Sequence, residues 1–136
     1  MAVAICHGYN IHQGAVASSV SHDSHNIIVI GDSDLNMSIA VNELIRSQGG
    51  YTVVSHGKVF ETLPLPIMGL MTDCGYEEVG RSLRKMKKKL HEMGVPIGID
   101  PFITLSFMAL PVIPEIRITP RGICLIKETK PRLIKS

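Results

Sequence analysis

Gly14-Ala15-Val16-Ala17-Ser18-Ser19-Val20, Ser21-His22-Asp23-Ser24-His25-Asn26 and Ile27-Ile28-Val29-Ile30-Gly31 follow one another without a break. The first stretch is small and β-branched and predicts a strand. The last is an uninterrupted apolar run and predicts a second strand over residues 26–30, buried on both faces. Between them, six residues carry two imidazoles, a carboxylate, two hydroxyls and a carboxamide. A polar cluster at the mouth of a sheet is where an α/β or α+β protein places a site, because the strands fix the loop while its side chains stay free to meet a ligand.

Downstream, Gly31-Asp32-Ser33-Asp34 reads as a turn with Asp32 or Ser33 as N-cap of a helix running to about Gln48. Met37, Ala40, Val41, Leu44 and Ile45 recur at the spacing of one buried helical face. Gly49-Gly50 ends that helix, and residues 51–54 and 58–63 predict two strands around a His56-Gly57 hairpin turn. Leu63-Pro64-Leu65-Pro66 cannot be a central strand, because each Pro lacks an amide donor. A second helix is expected over residues 76–93, with Val79, Leu83, Met86, Leu90 and Met93 inward and Gly94 and Pro96 stopping it. Asp100-Pro101-Phe102 begins a turn or helix, and the apolar block 103–110 reads equally as short helix or strand. Pro111, Pro114 and Pro120 predict an extended tail with little regular pairing before residues 123–126. The fold class is α+β (mixed α/β), a β-sheet with two main amphipathic helices packed on it in a single domain.

Composition narrows the function classes. The 136 residues are 45% hydrophobic, enough for one sizeable core, but only 4% aromatic with no Trp, which does not suit a base-stacking surface for nucleic acid. A formal net charge of +2 implies neither a nucleic-acid nor a membrane partner. Arg81, Arg84, Lys85, Lys87, Lys88 and Lys89 cluster on the second helix, where a solvated face explains them without an anionic ligand. Cys6, Cys74 and Cys124 form no CxxC and read as free thiols of a reducing, cytoplasmic protein. No apolar run is long enough for a membrane span, and the start lacks the basic region of a secretory signal. His56, in a turn, and His91, on the basic helix, are expected in solvent.

Three stretches together resemble the C-terminal domain of bacterial and archaeal adenine deaminases: residues 14–31; Leu63-Pro64-Leu65-Pro66-Ile67-Met68-Gly69-Leu70-Met71; and Asp100-Pro101-Phe102-Ile103-Thr104-Leu105-Ser106-Phe107-Met108-Ala109-Leu110-Pro111-Val112-Ile113-Pro114-Glu115. The resemblance runs from about residue 14 to about residue 119. It divides the chain into a poorly matched N-terminal segment, 1–13, which holds His7 and His12, and an adenine deaminase C-terminal-like domain, 14–136. It implies an amidohydrolase that converts adenine and water to hypoxanthine and ammonia in purine salvage. In that family a barrel preceding this domain carries a His-x-His motif and further His and Asp ligands for divalent manganese or iron. This sequence has no His-x-His, and 136 residues leave no room for a barrel of about 250. The chain therefore reads as a detached C-terminal portion, whether a separate subunit, a truncated gene or a fragment. No cofactor is expected on this chain alone. Its expected partners are a barrel subunit or further copies of itself, with adenine as substrate of the complete enzyme.

Hydrolytic deamination needs an activated water, a group to protonate the ring nitrogen and a proton route to the departing ammonia. His22, Asp23 and His25 are the candidate catalytic residues, with Ser24 and Asn26 as candidate substrate-binding residues and no metal ligand assigned. In a straight strand His22 and His25 would point to opposite faces, so joint action requires a turn, which Ser24 and Asn26 favour. Three readings of the segment stand side by side. It reaches into a barrel's active site; it pins the domain to the barrel through structural hydrogen bonds; or it forms an independent metal site. The blocks 63–71 and 100–115 hold little that ionises and read as core and interface packing. A non-catalytic binding or assembly module that keeps the fold is the alternative to the enzyme.

Overall fold

The computed structural model describes residues 1–127 and 130–133, so the expected domain end at residue 136 lies outside the described residues. Strands β1 (Gly14–Ser18) and β2 (Ile28–Gly31) precede helix α1 (Asp34–Arg46), strands β3 (Gly50–Ser55) and β4 (Lys58–Pro64), and helices α2 (Tyr76–Glu92) and α3 (Pro101–Phe107). β5 (Ile116–Thr119), β6 (Gly122–Lys127) and β7 (Lys130–Leu133) complete the order. The first four strands form one antiparallel sheet in the order β2-β1-β3-β4, and the last three a second antiparallel sheet. This is the mixed α+β architecture the sequence implied.

β1 is central and its alternation serves two cores, as the period-two geometry of a strand requires. Ala15 and Ala17 join Val54, Ala40 and Leu44 beneath α1, and their small side chains let that helix approach closely. Val16 faces the other way and packs with Val53, Leu63, Met86, Leu90, Phe102 and Leu105 under α2 and α3. The two main helices thus lie on opposite faces of one sheet. Ser33 caps α1 by accepting the Asn36 N–H at 3.3 Å, and helix α1 stops at Arg46, two residues before the expected end. Ile45 is exposed and Asn36 buried, so the inward face is rotated from the expected one. Asn36 turns inward because its side chain donates to Asp32 at 2.9 Å and accepts the Gly57 N–H at 3.1 Å.

Further expectations are corrected, for β2, for the tail and for His91. β2 is an edge strand, half-exposed along its length rather than buried on both faces, because only β1 pairs with it. Its hydrophobicity reflects contact with α1 and α3 on either side of a sheet margin. The tail is more regular than its prolines suggested: Pro120 sits in the turn between β5 and β6, where a missing amide donor breaks no ladder bond. Pro64 ends the edge strand β4, and His56 (φ 52°) with Gly57 (φ 73°) makes the tight hairpin turn. His91 is half-buried, its Nδ1 2.9 Å from the Val95 carbonyl oxygen, while His56 is exposed.

The basic face of α2 is interleaved with carboxylates: Arg81 pairs with Glu78, Lys85 with Glu61, Lys87 with Asp100 and Lys89 with Glu92. Cys6, Cys74 and Cys124 are free. Among the described residues no helix is long and apolar enough to cross a membrane.

Asp100 caps α3, accepting the N–H groups of Phe102 and Ile103 at 3.0 Å each, and bonds Lys87 of α2. Burial alone would raise its carboxyl. The Lys87 ammonium and the two amides outweigh burial and hold it below the ordinary value of 3.8. A carboxyl depressed in the folded state stabilises the fold fully above its unfolded value and loses that contribution as pH falls through the folded one. α3 anchoring should therefore weaken as pH drops below 3.8. Urea midpoints taken at about pH 6 and about pH 3 should fall less for Asp100→Asn than for the parent chain. An identical drop in both would remove Asp100 from the acid response.

Candidate functional site

The polar segment 21–26 leaves the end of the buried central strand and re-enters at the edge strand, so its two anchors differ in rigidity. It is a turn, as joint action of its histidines requires. Ser21 is buried, and its carbonyl accepts the His25 N–H at 2.7 Å to close the turn. His25 adopts φ 50°, in the left-handed region that costs an L residue about 1–2 kcal/mol. That closure brings the His22 and His25 rings to 5.4 Å between centroids, edge to face. His22, Asp23, Ser24 and Asn26 are exposed and His25 is half-buried. Asn26 Nδ2 donates to Ser24 Oγ at 2.7 Å, so the two candidate substrate-binding groups orient one another. All five candidates lie on one turn, and the pair of imidazoles is close enough to act on one small ligand.

Two contacts to α3 were not legible as functional. The His22 N–H donates to Ser106 Oγ at 3.3 Å, and the Phe107 ring lies 6.1 Å from the His22 ring. Ser106 is buried. A serine and a phenylalanine inside the largely apolar block 100–115 read as packing, and beside Thr104 nothing in the sequence set Ser106 apart. The block 63–71 reaches the same end of the sheet. Ser19 Oγ donates to the Gly69 carbonyl at 2.5 Å and accepts the Gly50 N–H at 2.7 Å, tying the end of β1 to the start of β3 and to this block. The three stretches singled out in the sequence therefore converge on one end of the sheet.

Comparison with known proteins decides the family. The adenine deaminase C-terminal domain family matches residues 1–130. This chain belongs to that family. It is 58% identical over 122 residues to an adenine deaminase of Desulfitobacterium hafniense, covering 90% of this chain and 21% of that protein. It is 48% identical over 121 residues to adenine deaminase 2 of Carboxydothermus hydrogenoformans, covering 89% and 21%. It is also 45% identical over 123 residues to an adenine deaminase of Bacillus pumilus, covering 90% and 21%. The chain spans about a fifth of the length of the curated relatives it matches.

The divalent manganese or iron implied for a complete adenine deaminase does not fit the residues of this domain. Among the described residues, no three His, Cys, Asp or Glu side chains come together to hold a metal ion. His22, Asp23 and His25 share a turn, but the two imidazoles meet edge to face, and the His22 ring lies tilted beside Phe107. On this turn the domain presents two imidazoles and a carboxylate.

Proposed function

We propose that this domain supplies His22, Asp23 and His25 to the purine-deaminating site of a complete adenine deaminase, completed by a separate metal-binding barrel portion. The observation that carries the reading is the convergence of the three family stretches around one exposed turn, held by Ser19, Ser21 and Ser106. In the overall reaction the C6–N bond of adenine breaks, a C6–O bond forms, and water supplies the oxygen. The departing amine must gain a proton to leave as ammonia, and an imidazole is the side chain whose charge changes near neutral pH. His25, fixed by its closed turn, is the proton carrier in this reading. His22 and Asp23, both exposed, hold the ring edge, and Ser24 with Asn26 orients the exocyclic amine.

Mixing this chain with a separately expressed barrel portion of an adenine deaminase, with manganese or iron present, tests the proposal. Adenine turnover should need both components. His25→Ala should lower kcat by about 100-fold or more, the usual contribution of a positioned acid or base, with complex formation unchanged. Full activity in His25→Ala would make the turn a clamp and the chain an assembly module. Robust turnover by this chain alone would refute the need for a barrel.

A further inference from the structure

The main sheet has two edges, and the chain treats them differently. β4 carries the devices that keep an edge from pairing with another molecule. Lys58 opens it, Pro64 ends it, and a register shift between Val53 and Val54 bulges it at Phe60, over whose ring the Lys85 and Lys89 ammonium groups lie at 5.2 and 5.4 Å. β2 carries none of them: Ile28-Val29-Ile30-Gly31 has no charge, no proline and an unbroken register with β1.

The ladder fixes which groups β2 leaves unpaired. The Asp32 N–H donates to the Gly14 carbonyl at 3.1 Å, and bonded pairs recur at every second residue of an antiparallel ladder. Ile30 and Ile28 therefore bond Val16 and Ser18, while the N–H and C=O groups of Ile27, Val29 and Gly31 point away from β1. Among the described residues no loop or helix backbone bonds them. Ile27 is 42% exposed, and the two helices that contact β2 carry exposed apolar side chains, Leu35 at 66% on α1 and Ile103 and Phe107 at 54% and 42% on α3. This edge is complementary to itself. Antiparallel pairing about a two-fold axis at Val29 sets Val29 opposite its copy and Ile27 opposite Gly31, so all three outward residues find partners. Ile28 then meets Ile30 as a β-branched cross-strand pair, which stabilises a sheet. Asn26 comes opposite Asp32, an exposed carboxamide against an exposed carboxylate, and no like charges meet.

We infer that β2 is the joint of a two-fold homodimer, in which the sheets of two copies continue into one another edge to edge. A second copy is the occupant because the register is self-complementary. A standard specific interface buries about 800 Å² on each partner, and a four-residue strand with a few part-exposed side chains beside it offers less, so the dimer is weak, with a Kd on the order of micromolar or above. Sedimentation velocity of the full chain from about 1 μM to about 1 mM tests it, and the mean mass should rise from monomer to dimer and stop there. Ile27→Lys, at an exposed position, should weaken association about tenfold or more with the urea midpoint unchanged, whereas Val59→Lys on the protected edge should leave association as it is. Cross-linking reads the register, because bonded antiparallel partners lie about 5.5 Å apart between Cα atoms, within disulfide reach. With Cys6 and Cys74 replaced by Ser and oxidised glutathione as the electron acceptor, Val29→Cys should give a covalent dimer and Val59→Cys should not. A chain still monomeric at about 1 mM, a dimer equally tight in Ile27→Lys, or equal cross-linking at the two cysteine positions would overturn the joint. Mass and cross-linking are read without turnover, so either outcome leaves the deaminase reading to its own test.

Discussion

Gly50→Ala should leave this chain either insoluble or destabilised by about 3 kcal/mol or more, the largest effect expected of any single methyl added to it. Gly50 opens β3 at φ 131°, where an L side chain is strained. A Cβ there would lie 2.0 Å from the Leu63 carbonyl oxygen and 3.1 Å from the Leu65 nitrogen. Those are backbone atoms of the paired strand and its continuation, so no rotamer change relieves the clash. The same residue donates its N–H to Ser19 Oγ, and its carbonyl accepts the Ser19 N–H at 3.0 Å. Moving β3 to admit a methyl would therefore disturb β4, the junction at Ser19 and the end of the sheet beneath the polar turn. Gly57→Ala is the control: φ is 73° but no atom lies within 4 Å, so only the backbone penalty of about 1 kcal/mol applies. Urea unfolding of both variants separates steric exclusion from conformational preference. A Gly50→Ala midpoint equal to that of Gly57→Ala would refute the steric account.

Leu105→Ala should cost about 2–5 kcal/mol, the range for emptying a buried leucine site. Leu105 is fully buried in the core beside Val16, Val53 and Phe102. Against a total stability of about 5–15 kcal/mol for a domain of this kind, such a loss is severe. Its second consequence is local. Ser106 and Phe107, the next two residues, are the ones that touch His22. Loosening Leu105 should therefore shift the His22 amide and ring signals under conditions where the chain remains folded. Ile103→Ala on the same helix, at an exposed position, should change stability by less than about 0.5 kcal/mol. A midpoint for Leu105→Ala within about 1 kcal/mol of the parent would mean that α3 is not anchored through this side chain.

Most of the main sheet was legible because local chemistry and tertiary context agree there. Gly49-Gly50, His56-Gly57 and the prolines of 63–66 punctuate the chain where the backbone changes direction, and the helical periodicity of α2 follows its buried Met86 and Leu90. The misread places are those where neighbours rather than residues decide. Ile27-Ile28-Val29-Ile30 has the composition of a central strand, but hydrophobicity does not reveal that only one strand flanks it. Asn36, absent from the expected inward face of α1, is drawn inside by its hydrogen bonds to Asp32 and Gly57. In the segment 21–26 the sequence shows which polar groups share one short stretch, and the structure places them on one turn. The contacts of Ser106 and Phe107 with His22 were not legible, because they join residues more than 80 positions apart along the chain.

The unequal anchoring of the polar turn has a dynamic consequence. At its Ser21 end the chain continues from β1, buried on both faces, whose amides paired with β3 are released to solvent only when the sheet itself opens. At its Asn26 end it passes into β2, a four-residue margin that can fray while the rest of the sheet persists. The turn is thus hinged on one side and clasped on the other. Asn26 and Ser24 can swing with the fraying margin on a fast local clock, while Ser21 and the backbone of His22 keep the slow clock of the core.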